Sequence, residues 1–208
     1  MKIIRNRAKE QLPMVLLTLL SIVQALALEL LWSHIRESAY LFEMTWTAML
    51  TWIQIGTSFL GIVVIWLVYA STAMRFRWVP TTGDSVYPFI IGLLEFILIE
   101  TLAPEYMGLW FVCMAMIFGL MTWISHRTMR RARLDGENDE YFASLTPATA
   151  RDFIPAFVIV FVLVLAGTYL AVTGDRGMVA LVAVLLAFAG LVRQLIIAAR
   201  FAEMSVAD

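Results

Sequence analysis

The chain has 208 residues, of which 62% are hydrophobic and 15% charged, and its net charge is −1. An ordinary soluble domain is about half apolar and a quarter charged, so this composition excludes that class and indicates a chain built for lipid. The net charge by itself says nothing about partners, whereas the distribution of charge along the chain is informative.

Six segments are long and apolar enough to cross a hydrocarbon core about 30 Å thick, which takes roughly 20 helical residues. They predict an all-α, polytopic membrane protein with a single transmembrane domain over residues 1–208, because too little chain remains for a separate soluble domain. The six predicted transmembrane helices lie near residues 13–33, 47–73, 86–104, 107–126, 153–173 and 178–200.

The first predicted helix resembles a signal peptide, because a basic start and an apolar run lead to Ala25-Leu26-Ala27. The apolar run continues beyond that site, and its pattern recurs within the chain at residues 86–104. We therefore expect an uncleaved first helix, with a cleaved signal peptide as the alternative.

The six helices form three predicted hairpins, with short outer turns at residues 33–46, 104–106 and 174–177. If the N-terminus is cytoplasmic, Arg36 and Arg176 fall outside and the other thirteen of the fifteen basic residues fall inside. A bias of that size in short loops predicts cytoplasmic N- and C-termini by the positive-inside rule. The thirteen are Lys2, Arg5, Arg7, Lys9, Arg75, Arg77, Arg127, Arg130, Arg131, Arg133, Arg151, Arg193 and Arg200.

The sequences of the first two hairpins align with each other and predict that the hairpins form a parallel repeat. Residues 21–31 and 92–102 superpose without a gap, which places Gln24 on Glu95 and Glu29 on Glu100. The second helices of the two hairpins also superpose, with Trp52 on Trp110 and Gly61 on Gly119. Internal repeats are common in transporters, but they also occur in membrane proteins that transport nothing.

The inner connection at 127–152 is the one sizeable polar stretch. Its arginines predict contact with anionic lipid headgroups rather than nucleic acid. The acidic run at 135–140 predicts a solvated turn. Ser144-Leu145-Thr146-Pro147 predicts a helix start, with Thr146 as the cap and Pro147 at the first position.

Carboxylates at membrane depth are costly unless they are paired, hydrated or protonated, so they are candidates for function. Glu95 and Gln24 are predicted near the helix centres and inside the bundle, whereas Glu29 and Glu100 lie five residues further out and face another way. The functional hypothesis is a protonatable or cation-binding site near the midplane, made by Glu95 with Gln24 and gated or fed by Glu29 and Glu100. The structural alternative is that Glu95 only fixes helix packing, while Glu29 and Glu100 reach headgroup water.

Arg193 lies about two turns above the cytoplasmic end of the sixth helix. Its side chain leans toward the membrane centre and that of Glu95 leans toward the cytoplasm, because side chains lean toward the N-terminus of their own helix. The two side chains therefore reach a similar depth in the membrane, which allows an ion pair between them. The alternative is that Arg193 extends to the inner headgroups.

The sequence contains no nucleophile–base motif, and its two histidines, His34 and His126, are predicted at opposite ends of the bundle. We therefore expect no enzyme, no catalytic residue, no metal and no cofactor. The first hypothesis is a small transporter or channel of the bacterial cytoplasmic membrane that handles protons or a small cation. The second is a non-catalytic subunit or assembly factor of a larger membrane complex, and a lipid-modifying enzyme ranks third. The expected partner is the bilayer, with a homo-oligomer or other membrane subunits left open.

Overall fold

The computed structural model of the protein describes residues 2–79, 81–143 and 146–204. Within these ranges the chain forms helices and turns and no strand, which confirms the all-α prediction. Seven α-helices follow in chain order: α1 Lys2–Glu37, α2 Trp46–Arg75, α3 Thr82–Glu100, α4 Met107–Ala132, α5 Asp139–Ala143, α6 Ile154–Thr173 and α7 Met178–Met204. Short 3-10 turns occupy Ala39–Phe42, Pro104–Tyr106, Gly136–Asn138 and Ala150–Phe153.

Five of the helices in the described part of the chain, α1, α2, α4, α6 and α7, are long and apolar enough to cross a membrane. This is the pattern of a multi-pass membrane protein. The remaining long helix, α3, has 19 residues, contains Asp84, Glu95 and Glu100, and is not among these five. The prediction of six spans is therefore supported for five helices by length and composition.

Capping side chains decide where several helices begin and end. Thr45 accepts a hydrogen bond from the backbone N–H of Ala48 at 3.2 Å before α2. Thr81 and Asp84 form a reciprocal capping box at the start of α3, which is four residues earlier than predicted. Gly174 ends α6 with a left-handed φ of 62°, a conformation that favours glycine.

The helices form a base and two arms. The parallel pair α1 and α3 forms the base, with α2 packed on α1 and α4 packed on α3. Helix α7 packs along α2 and helix α6 packs along α4, so that two arms, α2–α7 and α4–α6, rise from the base. Helices α6 and α7 follow each other in the chain but scarcely touch. The third predicted hairpin is therefore open, unlike the first two.

Close backbone contact explains why α6 joins α4 instead of α7. A Cβ added at Gly108 would lie 2.6 Å from the carbonyl oxygen of Gly167, and one added at Gly167 would lie 2.7 Å from the carbonyl oxygen of Gly108. Two glycines facing each other let helix backbones approach closely in a membrane, where no difference in apolarity drives helix association. The turn Gly174–Gly177 thus connects two helices that belong to different arms.

The predicted repeat has a counterpart in how the arms are built. The Cβ position of Gly61 on α2 lies 3.8 Å from Leu191 of α7, and that of Gly119 on α4 lies 3.7 Å from Val160 of α6. The two aligned glycines therefore face the outer helix of their own arm. The superposition of the two hairpins itself stays a prediction.

One end of the bundle, which we call the basic end, is held together by ion pairs and amide hydrogen bonds. Lys9 Nζ of α1 lies 2.5 Å from a carboxylate oxygen of Asp135. The Asn138 amide accepts from the backbone N–H of Arg77 at 3.1 Å and donates to the carbonyl oxygens of Arg77 and Ala132, both at 2.7 Å. These contacts bring the start of α1, the α2–α3 connection and the segment after α4 to the same end.

The structure corrects two predictions for the connection at 127–152. The run at 135–140 forms a turn with four exposed residues, as predicted, but Asp135 and Asn138 are buried because they are the partners of Lys9 and of the α2–α3 connection. Thr146 caps no helix in the described residues; Thr149 caps the turn before α6 instead, because the side chain of Asp152 completes its capping box. Ser144 and Leu145 lie outside the described residues.

The opposite end is closed by hydrogen bonds from aromatic side chains. Tyr40 donates to the carbonyl oxygen of Leu102 at 3.3 Å, and Trp46 donates to that of Arg176 at 2.5 Å. The three predicted outer turns thus meet at one end, away from the basic end.

Candidate functional site

The centre of the base holds a hydrogen bond between Gln24 of α1 and Glu95 of α3. Gln24 Nε2 donates to Glu95 Oε1 at 3.2 Å and to the carbonyl oxygen of Ile62 at 3.1 Å. Glu95 is 1% exposed and Gln24 is 3% exposed. The amide therefore ties three helices together at the carboxylate, and the residues aligned by the predicted repeat meet directly.

Half of this polar cluster has no partner among the described residues. Glu95 Oε2 and Gln24 Oε1 are both buried without a hydrogen bond. Leaving a buried polar atom unpaired costs about 1–3 kcal/mol, and an uncompensated buried charge costs more. A proton or a small cation at Glu95 would remove that cost, so the arrangement is suited to binding and releasing a positive charge.

A cavity of about 530 Å³ connects this cluster with the basic end. It lies between the two arms, and Glu95 is one of its lining residues. Along α4 its wall extends from Met114 to Met129, a distance of about 22 Å at 1.5 Å per residue. Its lining carries polar side chains contributed by α2, α4, α7 and the turn before α6: Ser58, Thr122, Ser125, His126, Asp152 and Gln194.

Arg193 also lines this cavity. It is exposed, and no ion pair within 4.0 Å joins it to Glu95 among the described side chains. The ion pair between Arg193 and Glu95, which their similar depth in the membrane allowed, is therefore not formed. The guanidinium and the carboxylate belong to different walls of the cavity. The two groups share a cavity without neutralising each other.

Glu29 and Glu100 do not join the site. Both side chains are exposed, whereas Gln24 and Glu95 on the same two helices are buried. A spacing of five residues turns an α-helix by roughly 140°, so the inner and outer polar positions face different directions. The structure thus separates the four aligned residues into a buried inner pair and an exposed outer pair.

A buried polar row on α2 was missed by the sequence reasoning. Thr51, Gln54 and Ser58 are completely buried, and Ser58 accepts a hydrogen bond from Trp110 Nε1 at 3.0 Å. Both amide atoms of Gln54 lack a partner among the described residues. The signal was present as spacings of three and four residues on one helix face. Ser58 lines the Glu95 cavity, so the row leads from that cavity toward the opposite end.

A second missed feature is the ion pair between Asp84 and Arg131 at the basic end. The guanidinium donates to both carboxylate oxygens at 2.6 Å. Burial raises the pKa of Asp84, but the hydrogen bonds from Arg131 and Thr81 outweigh burial, so the pKa lies below its ordinary range. The pair fixes the start of α3 against the end of α4, and so fixes the helix that carries Glu95.

The donor set suits a proton or a monovalent cation better than a transition metal. No group of three or more His, Cys, Asp or Glu side chains able to hold a metal occurs in the described part of the chain. The site offers one carboxylate, one amide oxygen and nearby hydroxyls instead. No protein family, no curated protein and no solved structure matches the chain.

Proposed function

We propose that the protein is a small membrane transporter or channel in which Glu95 binds and releases a proton or a small cation. The observation that carries the proposal is a buried carboxylate with one unpartnered oxygen at the inner limit of a 530 Å³ cavity. Most buried side-chain polar atoms in folded proteins have a hydrogen-bond partner, so an unpartnered carboxylate oxygen is unusual for a purely structural group. Intramembrane carboxylates with access to a cavity are typical of ion and proton pathways.

Gln24 links binding at Glu95 to helix packing. Its Nε2 group holds both Glu95 and the carbonyl oxygen of Ile62, so a change of charge on Glu95 alters a contact shared by α1, α2 and α3. The cavity provides the route from the basic end, and the row Gln54–Ser58 continues in the direction of the opposite end. Movement of the two arms relative to each other would open the path along this row to the opposite end.

We further propose that α3 also crosses the membrane, which makes six spans with both termini in the cytoplasm of a bacterial cell. Two observations support this topology. The helix ends alternate between the basic end and the opposite end, as a six-span chain requires. The basic end also collects most of the lysines and arginines, which the positive-inside rule assigns to the cytoplasm.

The proposal is tested with purified protein in liposomes loaded with a pH-sensitive dye. A potassium gradient with valinomycin imposes a membrane potential, and parallel samples replace the dye with a Na⁺ indicator or, without valinomycin, with a K⁺ indicator. We expect flux above that of protein-free vesicles for the wild type and for Glu95→Asp, and background flux for Glu95→Gln. Glu100→Gln is the matched control, because Glu100 lies on the same helix but is exposed.

A second measurement does not depend on a transported substrate. Infrared difference spectra between acid and neutral pH should contain a carboxylic acid band that disappears in Glu95→Gln and persists in Glu100→Gln. Equal spectra and equal fluxes for the wild type and Glu95→Gln would contradict the proposal and leave Glu95 with a packing role.

A further inference from the structure

A second, apolar cleft lies between α6 and α7, on the side where the two arms diverge. Its volume is about 650 Å³, which lies within the range of 300–1,000 Å³ typical of small-molecule sites. It exists because α6 and α7 pack on different arms and leave the space between them empty. Only 11% of the most apolar stretch of each helix is buried, so these helices face the surrounding lipid.

The cleft is amphipathic along its length. On α7 its wall runs from Met178 to Gln194, a distance of about 24 Å at 1.5 Å per residue. The wall is apolar except at the end nearer the basic end, where Arg193 and Gln194 stand next to each other. Arg193 is the one charged residue in the lining, and its guanidinium makes no hydrogen bond or ion pair with another described residue.

We infer that this cleft binds one anionic phospholipid, with an acyl chain between α6 and α7 and the phosphate at Arg193. A guanidinium binds phosphate through paired charge-assisted hydrogen bonds. In the bilayer the acyl chain gains van der Waals contact with the apolar wall and no hydrophobic transfer energy, so the preference for this cleft comes mainly from Arg193. The inference does not depend on the function of Glu95. The two cavities share Arg193 and Gln194, so the bound phosphate would stand at the entrance to the Glu95 cavity.

The glycine at position 190 makes the inference testable without disturbing the fold. Gly190 lines the cleft, and a Cβ added there meets no atom within 4 Å. Gly190→Phe should therefore fill the cleft and leave helix packing unchanged. Val172→Phe is the matched control, because Val172 is 81% exposed on α6 and does not line the cleft.

The experiment uses full-length protein in nanodiscs that contain a phosphatidylglycerol with a photoreactive group in its acyl chain. A phosphatidylcholine with the same chain is the zwitterionic comparison. After irradiation, mass spectrometry maps and counts the labelled residues. We expect about one phosphatidylglycerol per protein at cleft residues of α6 and α7, and little labelling in Gly190→Phe. Arg193→Gln should weaken phosphatidylglycerol binding about tenfold relative to the wild type and remove the preference over phosphatidylcholine.

Two results would overturn the inference. Labelling spread evenly over the outer helix faces, and equal in Gly190→Phe and Val172→Phe, would mean that the cleft is ordinary lipid-facing surface. Efficient disulfide formation between two copies of Gly190→Cys in a Cys113→Ala background would mean that a second copy of the chain fills the cleft. Arg200→Gln, which changes a charge on the same helix outside the cleft, should keep the wild-type preference.

Discussion

At the residue scale, the polar side chains of this bundle divide into satisfied and unsatisfied groups. Asp84 has both oxygens bound to Arg131 and further hydrogen bonds with Thr81. Glu95 has one oxygen bound to an amide and one without a partner in the described residues. A carboxylate with full pairing stabilises the fold, whereas one with an open position is available for binding.

This difference predicts a pH dependence for Asp84. Its pKa is lowered in the folded protein, so its ion pair contributes fully above the ordinary pKa of aspartate. As the pH falls through and below that value, the unfolded chain takes up a proton first, and the free energy of unfolding decreases until the folded-state pKa is passed. We expect the free energy of unfolding, measured with denaturant on the detergent-solubilised protein, to fall with decreasing pH in this range. The fall should be smaller in Asp84→Asn than in the wild type.

The same variant should be destabilised at neutral pH by on the order of 2 kcal/mol, less than a fully buried pair because the Arg131 side chain is 19% exposed. Asp139→Asn is the control, since Asp139 is exposed on the short helix α5. A slope that Asp84→Asn leaves unchanged would show that other groups govern the acid limb.

At the element scale, the contact between α1 and α3 positions the site. Gly92 on α3 faces Val23 of α1, and a Cβ added at Gly92 would overlap the Val23 side chain. The neighbouring turns bring Gln24 and Glu95 into hydrogen-bond distance. Close approach at Gly92 is thus the condition for the Gln24–Glu95 bond.

The element-scale prediction compares alanine at two helical glycines. Gly92→Ala should lower the free energy of unfolding by about 1–3 kcal/mol, because the methyl group must displace α1. Gly190→Ala should be neutral or stabilising by up to about 1 kcal/mol, since its Cβ position is open and alanine favours the helix. Thermal unfolding in one detergent measures both, and an equal change in the two variants would contradict the assigned contact.

At the scale of the whole molecule, the two arms create the cavities, and the helix ends lie either at the basic end or at the opposite end. Helices α6 and α7 do not close on each other, so the space between the arms stays open to its surroundings. The separation of the two arms also leaves the cavity that connects Glu95 with the basic end. A closed three-hairpin bundle would have provided neither cavity.

The whole-molecule prediction concerns topology, and α3 is the decisive helix. Reporter fusions at residues 105 and 175 should be periplasmic, and fusions at residues 79 and 140 should be cytoplasmic. Thirteen of the fifteen basic residues then lie on the cytoplasmic side. A cytoplasmic signal at residue 105 would mean that α3 does not cross, and a five-span arrangement would replace the six-span one.

The sequence by itself determined the helical class, the approximate helix limits and the unusual side chains. Runs of about 20 apolar residues have few structural alternatives, because every backbone polar group in lipid must be satisfied within a helix. The same reasoning separated the inner pair, Gln24 and Glu95, from the outer pair, since helical periodicity assigns residues to faces. Periodicity does not say which face meets which helix.

Only the tertiary structure decided the partners of those side chains. Gln24 meets Glu95 because α1 and α3 pack closely at Gly92, and Arg193 stays apart from Glu95 because α7 belongs to the far wall of an open cavity. Asp135 is buried by Lys9, which lies 126 residues earlier in the chain. Helix pairing in lipid depends on the fit of small residues and on single hydrogen bonds, neither of which has a local signature in sequence. The open cleft between α6 and α7 is the result of that pairing, and hydropathy alone predicted a closed hairpin there.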